Sequence, residues 1–385
     1  MWNTVSIVYF GDQLVASLQQ PLRAVISALR QHGVERIMLL PRWKFGPHLD
    51  LVADCTAEQF ETLVLPLCQQ QFGDWMASHP STTTLDPLDY ETLSQRLALV
   101  ELESGPYLPL LPNNSVLRGD YQPARALKLP QIAKAKETFL CDTLDLSLDL
   151  LAARQGDRDG EQFLLLLMAM MASMGQRYRQ GGLSRGYLSY RSHAEYFFTL
   201  YDNAAGAVRQ QFDRLDSKLA QQADAVVRAV CAATPEQLPL SVELQSLLQR
   251  WERVLDETAR SNEAIVAEHY VALLASDTLD RLASEASDHI PARIVTASRE
   301  RGAGPVMQAM TQAEGQRVLQ SPEFMAYRTT VNFFYYLLPL LGISPMKKFC
   351  LCHLTANAVE RVLGTSWQQI LGIGQANGAE HAVNH

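Results

Sequence analysis

Gln320 to Gly364 (QSPEFMAYRTTVNFFYYLLPLLGISPMKKFCLCHLTANAVERVLG) is the longest apolar stretch of the chain and carries few charges. Burial of so long a run constrains the fold more than any other feature. Phe333, Tyr336, Leu337 and Leu340 recur at i, i+3, i+4 and i+7, the spacing of one helix face. Pro339 kinks or ends that helix, because it removes a backbone donor and clashes with the preceding turn. Gly342 and Pro345 then define a turn. A second helix is predicted from about Met346 to Leu363, closed by Gly364. On it His353 and Asn357 lie four residues apart and point from one face. A histidine on an apolar helix is either a hydrogen-bonded core residue or a proton carrier, and spacing alone favours the core.

The front of the chain has a different period. Thr4 to Phe10 (TVSIVYF) is β-branched and aromatic, which predicts a strand. From Asp12 to Gln31 the period becomes helical, with Leu14, Leu18, Leu22, Val25, Ile26 and Leu29 on one side. Arg36–Leu40 and Leu49–Ala53 read as an antiparallel pair joined across Gly46-Pro47. Thr56 caps a helix running to about Ser78, and Tyr90 to Glu103 reads as a helix giving way to a strand. This order predicts an α+β fold: a split βαβ, ferredoxin-like sheet unit over residues 1–105. Five prolines mark 106–130 as a connecting segment without regular structure. A mainly helical region is expected over 131–372, including helices over about 131–154 and 192–233, and a polar tail over 373–385.

Composition narrows the function. The net charge of −8 and pI near 5.6 argue against a sequence-blind nucleic-acid binder. Six cysteines occur without a C-x-x-C pair, so no zinc ribbon or thioredoxin-like site is signalled and reduced thiols are expected. There is no signal-like N-terminus and no apolar run of membrane-spanning length, which gives the expectation of a cytoplasmic protein that binds no membrane. Dinucleotide, Walker A and Gly-x-Ser-x-Gly patterns are absent. His48, His353 and Glu195 lack metal-ligand spacing. Neither a cofactor nor a metal is expected.

Three segments, in order, carry a resemblance. RIMLLPRWKFGPHLDLVADC holds Arg42-Trp43 and Gly46-Pro47-His48; GYLSYRSHAEYFFTL holds Tyr190, Arg191, His193 and Glu195; the apolar stretch adds Tyr327-Arg328, Leu341-Gly342-Ile343-x-Pro345 and His353-x-x-x-Asn357. Together they resemble the C-terminal, glutamate-eliminating domain of lanthipeptide dehydratases and its stand-alone relatives in thiopeptide pathways. The resemblance covers nearly the whole chain. It implies a lyase or cyclase of peptide natural-product (RiPP) biosynthesis, acting without a cofactor on a modified peptide or carrier-linked amino acid, with companion biosynthetic enzymes as partners. Thiopeptide pyridine synthases, which perform a formal [4+2] cyclisation, are among the relatives. By the resemblance His353 and Arg42 are the catalytic residues; His48, Asn357, Tyr190, Arg191, His193, Glu195 and Arg328 are the candidate substrate-binding residues.

The chain departs from the pattern at Asp50, where the family strand carries an arginine, and at Ala358. An anion at residue 50 repels a glutamyl carboxylate. That leaves two further readings: a non-catalytic peptide-binding partner, and an unrelated α+β protein. Locally, Ser192 reads as a helix cap with Glu195 at the positive end, and Arg328, in a mostly apolar helix, is expected to need a partner or an anion.

Overall fold

The structure, a computed structural model, describes residues 1–11, 13–101, 105–122, 129–157, 160–202, 205–275, 304–311 and 313–373. Residues 374–385 of the polar tail and 123–128 of the Pro-rich segment lie outside them. The described chain falls into two units. One takes 1–155 and returns for Tyr336–Ile343; the other takes 156–274, 304–335 and 344–373.

The first unit is built on four strands: β1 (Trp2–Val8), β2 (Ile37–Arg42), β3 (His48–Asp54) and β4 (Ser115–Gly119). They form one antiparallel sheet in the order β2-β3-β1-β4. With helix α1 (Gln19–Gln31) between β1 and β2, and α2 (Leu65–Ser78) and α3 (Pro87–Glu101) between β3 and β4, this is the predicted ferredoxin-like topology. The apolar stripe of α1 is buried at Leu22, Val25, Ile26 and Leu29, as its period requires. Thr56 opens the second helical stretch with a reciprocal cap: its hydroxyl accepts from the Gln59 amide, and the Gln59 side chain accepts from the Thr56 amide, both at 3.1 Å.

Two local readings change. The helix expected to give way to a strand near Glu103 runs over Pro87–Glu101, and the fourth strand comes later, inside the Pro-rich segment. Ser115–Gly119 lies in a proline-free run of that segment, 113–122, so its amides can join a ladder; pairing with β1 satisfies them at the sheet edge. The first unit closes with α4 (Pro130–Asp142) and α5 (Leu144–Gly156). One helix was expected over 131–154; the chain breaks at Thr143, whose hydroxyl bonds back to Phe139 O at 2.7 Å.

The second unit is helical: α6 (Glu161–Gln176), α7 (Leu188–Tyr201), α8 (Ala207–Ala232), α9 (Val242–Ala275), α10 (Pro322–Leu337) and α11 (Pro345–Leu363). Among the described residues no strand follows Gly119. The centre is α6, whose Phe163 and Leu165–Gly175 are all buried, packed by α8 and α11. Gly186 lets the backbone after α6 approach closely: a Cβ there would lie 2.4 Å from Gly175 O. The helix expected over 192–233 divides into α7 and α8, because Gly206 takes a left-handed φ of 66° and Asp202 caps α8 through the amides of Val208 and Arg209. Pro339, Gly342, Pro345 and Gly364 end and start helices where the sequence places them. All six cysteines are free; Cys55, Cys68 and Cys352 are buried and Cys231 is exposed.

Candidate functional site

Three helices of the second unit put polar side chains into its interior. Ser344 caps α11 by accepting from the Lys347 amide, Pro345 takes the first helical position where its missing N–H costs nothing, and Gly364 ends the helix at φ 63°. Between these caps the 3.6-residue period puts His353 and Asn357 on one face, one turn apart. The facing helix, α8, buries Phe212, Asp216, Leu219 and Ala223, so an aspartate stands within its apolar stripe.

His353 is 2% exposed. Its Nε2 lies 2.7 Å from Asp213 Oδ1 and 3.1 Å from Asn357 Nδ2. Its Nδ1 is buried with no hydrogen-bond partner, and the Phe198 ring meets the imidazole edge-on at 5.2 Å. Burial pulls the His353 pKa below the usual imidazole value; Asp213 opposes that shift and Arg191 adds to it. A neutral imidazole near pH 7 follows.

Asn357 is locked from both ends. Arg191 donates to its Oδ1 at 2.7 Å, and its Nδ2 donates to Asp216 Oδ2 at 3.0 Å. Arg191, buried on α7, also pairs with Glu360 at 2.9 Å and stands 3.6 Å from Glu195. Arg209 donates to both Glu195 oxygens, at 3.1 and 2.6 Å. Arg361 bridges Asp216 at 2.6 Å and Asp224 at 2.9 Å. Each of these three guanidiniums thus already faces carboxylate.

The other residues marked in the sequence are placed as follows. Tyr190 is fully buried and donates to Met171 O at 2.7 Å, a structural bond; burial first, then Tyr327, raise its pKa well above the usual phenol value. His193 bonds through Nδ1 to Ser189 O at 2.7 Å and packs edge-on against Tyr335 at 5.0 Å. Burial, with the Lys348 and Arg328 cations adding to it, pushes its pKa down to about 4. Helix α7 starts at Leu188, so Ser192 is interior to the helix and does not cap it, and Glu195 stands mid-helix as the counter-charge to Arg191 and Arg209. Arg328 reaches the surface, and burial of its guanidinium still lowers its pKa below the usual value.

Arg42 and His48 belong to the first unit, at the β2–β3 hairpin. Phe45 and Gly46 carry φ of 67° and 102° in its turn, and Tyr90 Oη donates to Trp43 O at 2.7 Å to hold it. Arg42 Nε donates to the buried Asp50 at 3.1 Å, Ser6 Oγ donates to the same carboxylate at 2.6 Å, and His48 Nε2 lies 3.7 Å away. His48 Nδ1 bonds to Gly46 O at 2.8 Å. Asp50 therefore neutralises Arg42 directly. Nearby Lys136 is buried, its ammonium 4.9 Å from the Tyr336 ring centroid, and burial, with Arg42 adding to it, lowers its pKa to about 8.

Within the second unit the structure brings together His353, Asn357, Arg191 and Glu195; within the first it joins Arg42 to His48 through Asp50. Asp213, Asp216, Glu360 and Arg361 were not marked by sequence reasoning. Asp216 alone left a local signal, as a charge inside an apolar helix stripe. Among the described residues no group of three or more His, Cys, Asp or Glu side chains could hold a metal ion, and no helix is long and apolar enough to cross a membrane.

The family profile described as lantibiotic biosynthesis dehydratase C-term matches residues 2–359. In structure the chain is similar to a pyridine synthase, TbtD, from thiomuracin biosynthesis, with a TM-score of 0.69 at 22% identity over 94% of this chain and 99% of that one. It is also similar to TsrL, with a TM-score of 0.63 at 16% identity over 96% and 97%. No curated protein matches it in sequence.

Proposed function

Because the chain belongs to the lantibiotic biosynthesis dehydratase C-terminal family, we propose that it is a cofactor-independent lyase or cyclase of peptide natural-product biosynthesis, with His353 as its proton carrier. The observation that carries this reading is the buried imidazole of His353, held at Nε2 by a carboxylate and left without a partner at Nδ1. Elimination next to a carbonyl and cyclisation of a dehydrated peptide both need a base that is neutral at working pH and accepts a proton in a dry setting. Burial supplies that state here.

Charge pairing favours one branch. A departing glutamate needs a free cation, yet Arg42 faces Asp50, and Arg191, Arg209 and Arg361 all face carboxylates. A peptide carrying dehydroalanine, which expels no carboxylate, fits this balance better than a glutamylated one. The fold shared with the thiomuracin pyridine synthase points the same way. The charge pairing also favours a second reading, a peptide-binding partner without chemistry of its own.

Purified chain incubated with two synthetic peptide pools, one bearing O-glutamyl serine and one bearing dehydroalanines, separates these readings by mass spectrometry and peptide mapping. The proposal expects a new product from the dehydroalanine pool, lost in His353→Ala. No product from either pool, together with calorimetric binding of the dehydroalanine peptides, overturns the enzyme reading in favour of the binding partner.

A further inference from the structure

His353 offers two ring nitrogens, and a base must leave one of them unprotonated and free of a hydrogen-bond partner. The two tautomers have unequal surroundings. With the proton on Nδ1, a buried N–H has no acceptor, and the Nε2 lone pair faces the Asp213 carboxylate at 2.7 Å. With the proton on Nε2, that N–H donates to the carboxylate in a charge-assisted bond, and the group without a partner is only a lone pair. The competing donor is Asn357 Nδ2, 3.1 Å from the same Nε2. Its amide is already fixed by Arg191 on one side and Asp216 on the other, and the shorter contact goes to a charge.

We infer that Asp213 is a positioning residue: it holds His353 as the Nε2–H tautomer and makes Nδ1 the atom that accepts the proton. The inference rests on the reading of His353 as proton carrier. In the step, a substrate amide N–H bond beside the dehydroalanine breaks, its proton forms an N–H bond at Nδ1, and its electron pair passes to the adjacent carbonyl oxygen as an imidate. The imidazolium so formed is stabilised by Asp213 through Nε2–H, and the proton leaves Nδ1 when the product is protonated. Asp213 is half exposed, at 51% of its side chain, so it links a buried ring to solvent without itself being part of the core. The charged groups around the ring are Asp213 and Asp216 on α8 and Arg191 on α7.

The test is a long-range proton–nitrogen correlation spectrum of the full chain, labelled in histidine, at pH 7, with His353 assigned by His353→Gln. The expected spectrum shows a pyrrole-type Nε2 and a pyridine-type Nδ1. Asp213→Ala, shown folded by circular dichroism, should shift His353 toward a mixed or Nδ1–H pattern, and Asp213→Glu should restore it. If Asp213→Ala does not fold, Asp213→Asn takes its place with the same expectation of a weakened Nε2–H preference. A wild-type Nδ1–H pattern, or a pattern unchanged by loss of the Asp213 carboxylate, overturns the inference. These spectra need no substrate, so they stand apart from the turnover assay: undiminished turnover in His353→Ala refutes the catalytic reading while leaving the tautomer result intact.

Discussion

Arg191→Met removes the charge that the second unit's buried network shares. The guanidinium is 4% exposed and lies 2.9 Å from Glu360, 2.7 Å from Asn357 Oδ1 and 3.6 Å from Glu195. At an effective dielectric constant of about 20, a unit charge pair at that Glu360 distance attracts by roughly 6 kcal/mol before desolvation is subtracted. The desolvation cost offsets much of this in the intact pair. Removing Arg191 takes the cation from the mostly buried Glu360 carboxylate, while Glu195 keeps Arg209, and that loss is about 3–5 kcal/mol. Urea unfolding followed by tryptophan fluorescence reads it as a fall in midpoint at unchanged slope. The double variant Arg191→Met/Glu360→Gln should be destabilised by at least about 1 kcal/mol less than the sum of the single variants, because it removes the orphaned anion. A single-variant loss under about 1 kcal/mol, or strict additivity, refutes the network as drawn.

Gly186→Ala forces a methyl into backbone 2.4 Å away at Gly175 O; a loss of about 1–3 kcal/mol in thermal or urea unfolding is expected, and a neutral result contradicts the close approach. Asp50→Asn weakens a carboxylate that receives both Ser6 and Arg42, so about 1–3 kcal/mol of stability should go; a variant as stable as the parent would show that Arg42 is not held there. The fold lowers the His193 pKa to about 4, so the folded chain binds fewer protons than the unfolded one below the usual imidazole value of about 6.5, and stability falls as pH drops through that window, by at most about 3 kcal/mol. His193→Gln should flatten the urea-midpoint profile between those pH values, and parallel profiles for variant and parent count against it.

Much of the fold was legible because its signals are local. The β-branched alternation of Thr4–Phe10, the Gly46-Pro47 turn, the Thr56 cap and the Gly364 stop each act within a few residues, and together they specify a ferredoxin-like sheet followed by helices. β4 was missed because five residues between prolines carry little periodicity of their own; pairing with β1 makes them a strand. The start of α7 was misplaced for a similar reason: Ser192 has the chemistry of a cap, but the close Gly175–Gly186 contact allows a short helix before Leu188, and α7 begins there. In the site, helical spacing alone put His353 and Asn357 on one face. Their partners Asp213 and Asp216 stand 140 and 141 residues away in sequence, and a contact of that separation leaves no local pattern. Asp50 was readable as a departure from the family, but its pairing with Arg42 and Ser6 became visible only with the strand register.

The central claim is that this chain changes a peptide chemically through His353. Incubation of the purified chain with dehydroalanine-bearing peptides, followed by mass spectrometry of the peptides, tests it most directly. The account predicts a peptide product whose mass or connectivity depends on the chain and which disappears, by ~10²-fold or more, when a folded His353→Ala variant replaces it. Identical peptide products with the parent chain, the variant and no chain at all would contradict it.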